Sequence, residues 1–215
     1  VTQEYDRTGS NYGFTCAERN GYFDKKLIEL QCQYQKAFLE HVNPYTGLAY
    51  KDDPVIAMAE LVNECSLFNP GTYTRYEPYN TELFELYRDF AAAKGIAVKF
   101  EDWEFSKNTP LLREFIMMKY YRESITYLRS IGAKFPINGT NWPIDKATAY
   151  CNAMASDFTD NHFYYCDWKQ VDQRKFLNQS MMREPETIAC NLVAHAVENL
   201  PMFISEWDAP WPNAY

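Results

Sequence analysis

Four short segments carry the side chains that could do chemistry. Asn63 and Glu64 close the stretch "AMAELVNE", residues 57–64. Asn141 and Trp142 follow "FPINGT". His162 and Tyr164 alternate within "DNHFYY", and Glu206 and Trp207 end "FISEW". Each segment is a mostly apolar, strand-like run that finishes on polar or aromatic residues. A buried strand does not end on a carboxylate and an amide without giving them water, a partner or a substrate.

The two carboxylates point to a specific chemistry. Cleavage of a glycosidic bond with retention needs one protonated acid for the leaving oxygen. It also needs one ionised carboxylate to attack the anomeric carbon, with the two carboxyls ~5–5.5 Å apart. Glu64 and Glu206 are far apart in sequence, so only the fold could bring them together. The acid must hold its proton near neutral pH and the nucleophile must not. Tyr164 is a candidate donor to Glu206. Taken singly, each residue has a structural explanation: a salt-bridged Glu, a satisfied core His, a packed Trp. At equivalent strand ends, together, they point to a site.

The elements that must position these residues follow from periodicity. Apolar residues at helical spacing predict a helix from the cap Asp24 to about His41, ended by Asn43-Pro44 and Gly47. Val55–Asn63 reads as a buried strand. Thr81 to Lys94 reads as a helix closed by Gly95, and Leu111 to Ser130 as a long helix before Gly132. Lys134–Ile137 is a short strand, Asp145–Ser156 a helix and Phe158–Tyr165 a strand. Glu186–Leu200 is a helix with Pro185 at its start, and Pro201–Glu206 the last strand. Residues 1–22 and 166–184 read as loop. Strands alternating with helices predict an α/β fold with parallel strands in one domain spanning residues 1–215. Residues 66–110 form a long insertion expected to rim a cleft.

Composition narrows the partners. With 29 acidic and 21 basic residues the net charge is −8, which argues against nucleic acid or an anionic membrane. The longest apolar runs fall short of a membrane span. The 17 Tyr, 14 Phe and 5 Trp could simply fill a core, or could stack on sugar rings. The six Cys form no CxxC pair, so no zinc knuckle is expected, and most should be free buried thiols. Of three His, His41 and His195 fall on predicted helices, which leaves too few ligands for a metal-dependent hydrolase. Neither a metal nor another cofactor is expected.

The segments "ELVNE", "DNHFYY" and "FISEW" resemble the strand ends of retaining (β/α)8-barrel glycoside hydrolases of the cellulase-like superfamily. "HVNPYTGLAYKDDPVIAMAELVNE", "FPINGTNW", "NQSMMREP" and "SEWDAPWPN" are similar to a bacterial, cellulase-like subgroup. The likeness runs over most of residues 20–215. It implies that Glu64 is the acid/base on the fourth strand and Glu206 the nucleophile on the seventh. It implies that Asn63 binds the sugar 2-hydroxyl, and that His162 and Tyr164 close the sixth strand. Asn141, Trp142 and Trp207 become candidates for substrate binding. The substrate would be a polysaccharide or oligosaccharide, which would put the protein outside the cell or in the periplasm, although no signal peptide is visible.

The chain departs from that pattern in three ways. It has room only for about the third helix through the seventh strand, so the expected architecture is an incomplete TIM-type barrel. Such a barrel would need missing segments or self-association to cover its edges. The Arg of an early strand and the aromatic of the eighth are not assigned, and Cys65 stands where the subgroup has a polar residue. Glu60, four residues before Glu64 on the same strand face and deeper in a barrel, is expected to be structural and paired with a basic residue. A catalytically silent carbohydrate-binding barrel or fragment is the alternative reading.

Overall fold

The computed structural model describes residues 20–67, 77–102, 110–142, 145–164 and 193–208. The loop expectations for residues 1–19 and 166–184, the start of the helix at Glu186 and the segment "NQSMMREP" lie outside them. The described residues form a mixed α/β structure with short parallel strands. In chain order these are α1 (Lys25–Leu39), β1 (Ala59–Val62), α2 (Tyr79–Ala92), α3 (Pro110–Ser130), β2 (Ile137–Thr140), α4 (Lys146–Ala155), β3 (Thr159–Tyr164) and β4 (Met202–Asp208). No closed barrel is formed by the described strands.

Local chemistry sets the helix starts. Asp24 caps α1 by accepting the N–H groups of Lys26 and Leu27. Asp145 caps α4 by accepting the N–H of Thr148 at 2.9 Å. Gly95 and Gly132 follow α2 and α3 with φ 73° and 102°, the left-handed conformation that ends a helix cheaply only at glycine. Thr81 is not the cap of α2, which begins two residues earlier at Tyr79. The Thr81 hydroxyl instead donates to Glu77 at 2.7 Å. The helix expected to run to Leu200 has ended by Ala196, and Asn199 at φ 64° turns the chain into β4.

Two parallel ladders carry the strand ends. β1 pairs with β2, with Glu60 opposite Asn138 and Val62 opposite Thr140. β3 pairs with β4. β2 and β3 lie side by side without a ladder. The reason is Asn152 on α4, which serves that flank of β2. Its Oδ1 accepts the N–H groups of Gly139 (3.0 Å) and Thr140 (3.2 Å), and its Nδ2 donates to Thr140 O (2.9 Å). Gly139 permits this approach, because a Cβ there would sit 2.7 Å from Asn152 Oδ1 and 2.9 Å from the Tyr121 ring.

β2 therefore lies three residues beyond the strand expected at Lys134–Ile137. Asn138, Gly139 and Thr140 lie beyond the expected strand and are mostly polar, yet all four residues of β2 are buried. Beneath the strands the core joins Leu61 and Ile137 to Leu112, Ile116, Met117, Tyr120 and Tyr121 of α3. Leu83 of α2 is fully buried in the same core, so this part of the 66–110 segment packs as scaffold. Among the described cysteines, Cys32, Cys65 and Cys151 are free, and the last two are buried. Among the described residues no helix is long and apolar enough to cross a membrane.

Candidate functional site

The C-terminal ends of β1, β2, β3 and β4 bring Glu64, Asn141, His162 and Glu206 together. Site residues on parallel strands belong at this edge because the strands deliver successive residues to the same end of the sheet. The link between the two ladders is His162. Its Nδ1 lies 2.8 Å from Glu64 Oε1 and 3.4 Å from Glu206 Oε2, and its imidazole is 3 % exposed. Glu64 and Glu206 are each 44 % exposed, so the carboxyls open to solvent while the ring between them does not. A carboxylate can only accept, so a proton on Nδ1 is the donor that both can use. The donor atoms of all three side chains lie within 4.8 Å of one another. Three such atoms could also surround a cation. The 2.8 Å contact is a hydrogen-bond distance, however, and we assign a carboxylate–imidazole–carboxylate cluster.

A bulge in β4 produces this meeting. Between the pairs Asp160–Phe203 and His162–Glu206, two steps on β3 face three on β4. The extra residue lets both Ser205 and Glu206 reach the imidazole, where regular alternation would send them to opposite faces. Ser205 Oγ is 3.1 Å from His162 Nε2. The bulge also corrects the expectation for Tyr164. It pairs with residue 208, two ladder steps past Glu206, and among the described residues it makes no hydrogen bond to that carboxylate. Its ring stands edge-on to His162 at 6.4 Å and is 43 % exposed at the rim.

Glu64 has φ 45°, a conformation uncommon outside glycine. Three side chains hold it. Asn141 Oδ1 accepts its backbone N–H at 2.8 Å. Tyr22 Oη and Thr140 Oγ1 donate to the carbonyl of Cys65 at 2.8 and 3.1 Å. Burial pushes the Tyr22 hydroxyl well above its ordinary pKa, so it stays a donor. Cys65 itself is 2 % exposed and faces the core, so its thiol does not line the cleft.

The other expected site residues separate. Asn63 is exposed, and its Oδ1 accepts from Asn141 Nδ2 at 2.8 Å. Asn141 is buried and committed to protein partners, which makes it a holder of Asn63 and Glu64 and not a group open to substrate. Trp142 is half-buried beside it. Strand alternation puts Trp207 on the face opposite Glu206, level with Phe163, whose ring packs on His195.

Among the described residues Glu60 has no basic partner of the kind expected. Both of its oxygens accept amides, Oε1 from Asn138 Nδ2 at 3.0 Å and Oε2 from Asn141 Nδ2 at 2.6 Å. Burial, then the neighbouring Asp160 carboxyl, push its pKa up to about 7. Asp160 and Ser205 were not singled out by sequence. The two-residue spacing of Asp160, His162 and Tyr164 would have flagged the first, since strand parity puts them on one face. Ser205 depends on the bulge, which left no signal.

Comparison of the chain with protein-family models, with curated proteins and with solved structures finds no match in any of the three.

Proposed function

We propose that the chain is a retaining glycoside hydrolase that cleaves β-glycosidic bonds of a polysaccharide or oligosaccharide. The observation that carries this is the convergence of Glu64 and Glu206 on His162, with donor atoms within 4.8 Å of one another. This closeness suits the narrow carboxyl separation of a retaining enzyme, ~5–5.5 Å, better than the wider one of an inverting enzyme. Glu64 protonates the leaving oxygen and then activates water. Glu206 attacks the anomeric carbon, and the C–O bond to the leaving group breaks as the glycosyl ester forms. The Nδ1–H of His162 donates to whichever carboxylate is ionised. Asn63, exposed beside Glu64, offers an amide to the sugar, and Tyr164 offers a ring and a hydroxyl at the rim. The parallel strands β1 to β4, side by side in chain order, fit the fourth to seventh strands of a (β/α)8 barrel.

The test is turnover of aryl β-glycosides by the full chain. Release of the aryl alcohol by wild type, abolished in Glu206→Ala, supports the reading. Sugar binding without turnover favours the carbohydrate-binding alternative, and neither binding nor turnover contradicts both.

A further inference from the structure

We propose that Glu60 and Asp160 hold one proton between them, and that this pair positions Glu64 and Glu206 through Asn141 and Ser205. The roles of the two positioned groups rest on the glycosidase reading; the shared proton does not.

Asp160 is fully buried. Its Oδ1 accepts the N–H groups of Asn161 (2.7 Å) and Ser205 (2.9 Å). Its Oδ2 is also buried and meets no N–H or O–H donor. A buried carboxylate oxygen without a donor is costly. A proton on the facing Glu60 carboxyl supplies the donor it lacks. The groups facing Glu60 are Asn138 and Asn141 from β2 and Asp160 from β3. Asp160 is the charged one among them, and two facing carboxylates cannot both ionise cheaply.

From this pair two arms lead to the site. On one side, Glu60 Oε2 and Asn63 Oδ1 both accept from Asn141 Nδ2. They fix which end of the Asn141 amide is the donor, and so turn its oxygen to the backbone N–H of Glu64. On the other side, Asp160 Oδ1 holds the Ser205 N–H inside the bulge, and Ser205 Oγ meets His162 Nε2. Ionising Glu60 sets a second charge against Asp160 and strains both arms at once. Glu60 and Asp160 are positioning residues; neither touches the cluster directly.

The experiment compares full-length wild type, Glu60→Gln and Glu60→Ala. Gln keeps the shape and one of the two amide-accepting oxygens, and stays neutral. The Tm of each is followed from about pH 5 to about pH 8, and the imidazole proton of His162 is followed by NMR. A carboxyl with a raised folded pKa stabilises the protein at low pH and loses that contribution as pH rises through about 7. The Tm of wild type relative to Glu60→Gln should therefore fall across this window. A step with the same midpoint should appear in the His162 resonance of wild type and be missing from that of Glu60→Gln. In turnover, the alkaline limb of the kcat profile should move to higher pH in Glu60→Gln. A flat Tm difference overturns the shared proton. A falling Tm difference with a His162 signal that behaves alike in both proteins overturns the positioning role. If Tm and His162 respond as expected but no glycoside is turned over, this proposal stands and the glycosidase reading fails. Glu60→Ala removes the acceptor of Asn141 and leaves Asp160 on the Ser205 N–H, and it too should lack the step in the His162 resonance.

Discussion

Asn141 Oδ1 accepts the backbone N–H of Glu64 at 2.8 Å while Glu64 holds φ 45°. One buried amide thus keeps the candidate acid in a conformation that a non-glycine residue rarely adopts. Asn141→Asp retains the size and the acceptor but removes the donor to Glu60 and Asn63, and adds a charge beside Glu60. It should cost about 1–3 kcal/mol of stability, read by urea unfolding, and should lower kcat. Unchanged stability and turnover would show that Glu64 needs no such support.

Removing either carboxylate should abolish function and leave the fold alone. Glu64→Gln and Glu206→Gln are each expected to lower kcat by about 10²–10⁴. Both side chains are partly exposed, so circular dichroism and Tm should barely change. Loss of activity together with loss of fold would assign them a structural role instead.

The bulge in β4 offers a finer test. Ser205→Ala removes the partner of His162 Nε2 without touching either carboxylate. A hydrogen bond of about 1 kcal/mol corresponds to roughly a fivefold loss in kcat/KM. An unaffected kcat/KM would mean that Nε2 needs no partner.

Gly139→Ala tests the scaffold. The added methyl meets Asn152 Oδ1 and the Tyr121 ring inside 3.0 Å. Destabilisation of about 1–3 kcal/mol is expected, measured by denaturant titration. A neutral result would show that α4 can move away from β2 without loss.

Cysteine labelling reports on the core beneath the site. Burial pushes the Cys151 thiol up to about 12, and Cys65 is equally enclosed, while Cys32 is only partly covered. At mildly alkaline pH, peptide mapping after alkylation should find Cys32 modified well before Cys65 or Cys151. Rapid labelling of Cys65 in the folded protein would place its thiol in the cleft.

Much of this site was legible in the sequence, and the failures have physical causes. Strand parity alone puts Glu60 with Glu64, and Asp160 with His162 and Tyr164. The caps Asp24 and Asp145 mark helix starts by short-range chemistry that tertiary packing does not override. β2 was displaced because sequence patterns equate polar with exposed, and Asn152 makes Asn138-Gly139-Thr140 an exception. Glu60 departs from the expected pairing with a base because a half-buried carboxyl can be satisfied by side-chain amides as well. Tyr164 and Trp207 are expected in the cleft because they stand at strand ends beside the candidate site residues, and strand ends alone do not give the register between strands. One extra residue in β4 brings Glu206 opposite His162, where a regular ladder would place it opposite Phe163, and turns Trp207 away.

The most direct test of the account is the anomeric configuration of the first sugar released from an aryl β-glycoside, followed by proton NMR before mutarotation. The β-anomer first, from wild type and not from Glu206→Ala, is the predicted result. The α-anomer first would mean inversion and would contradict Glu206 as a nucleophile beside Glu64.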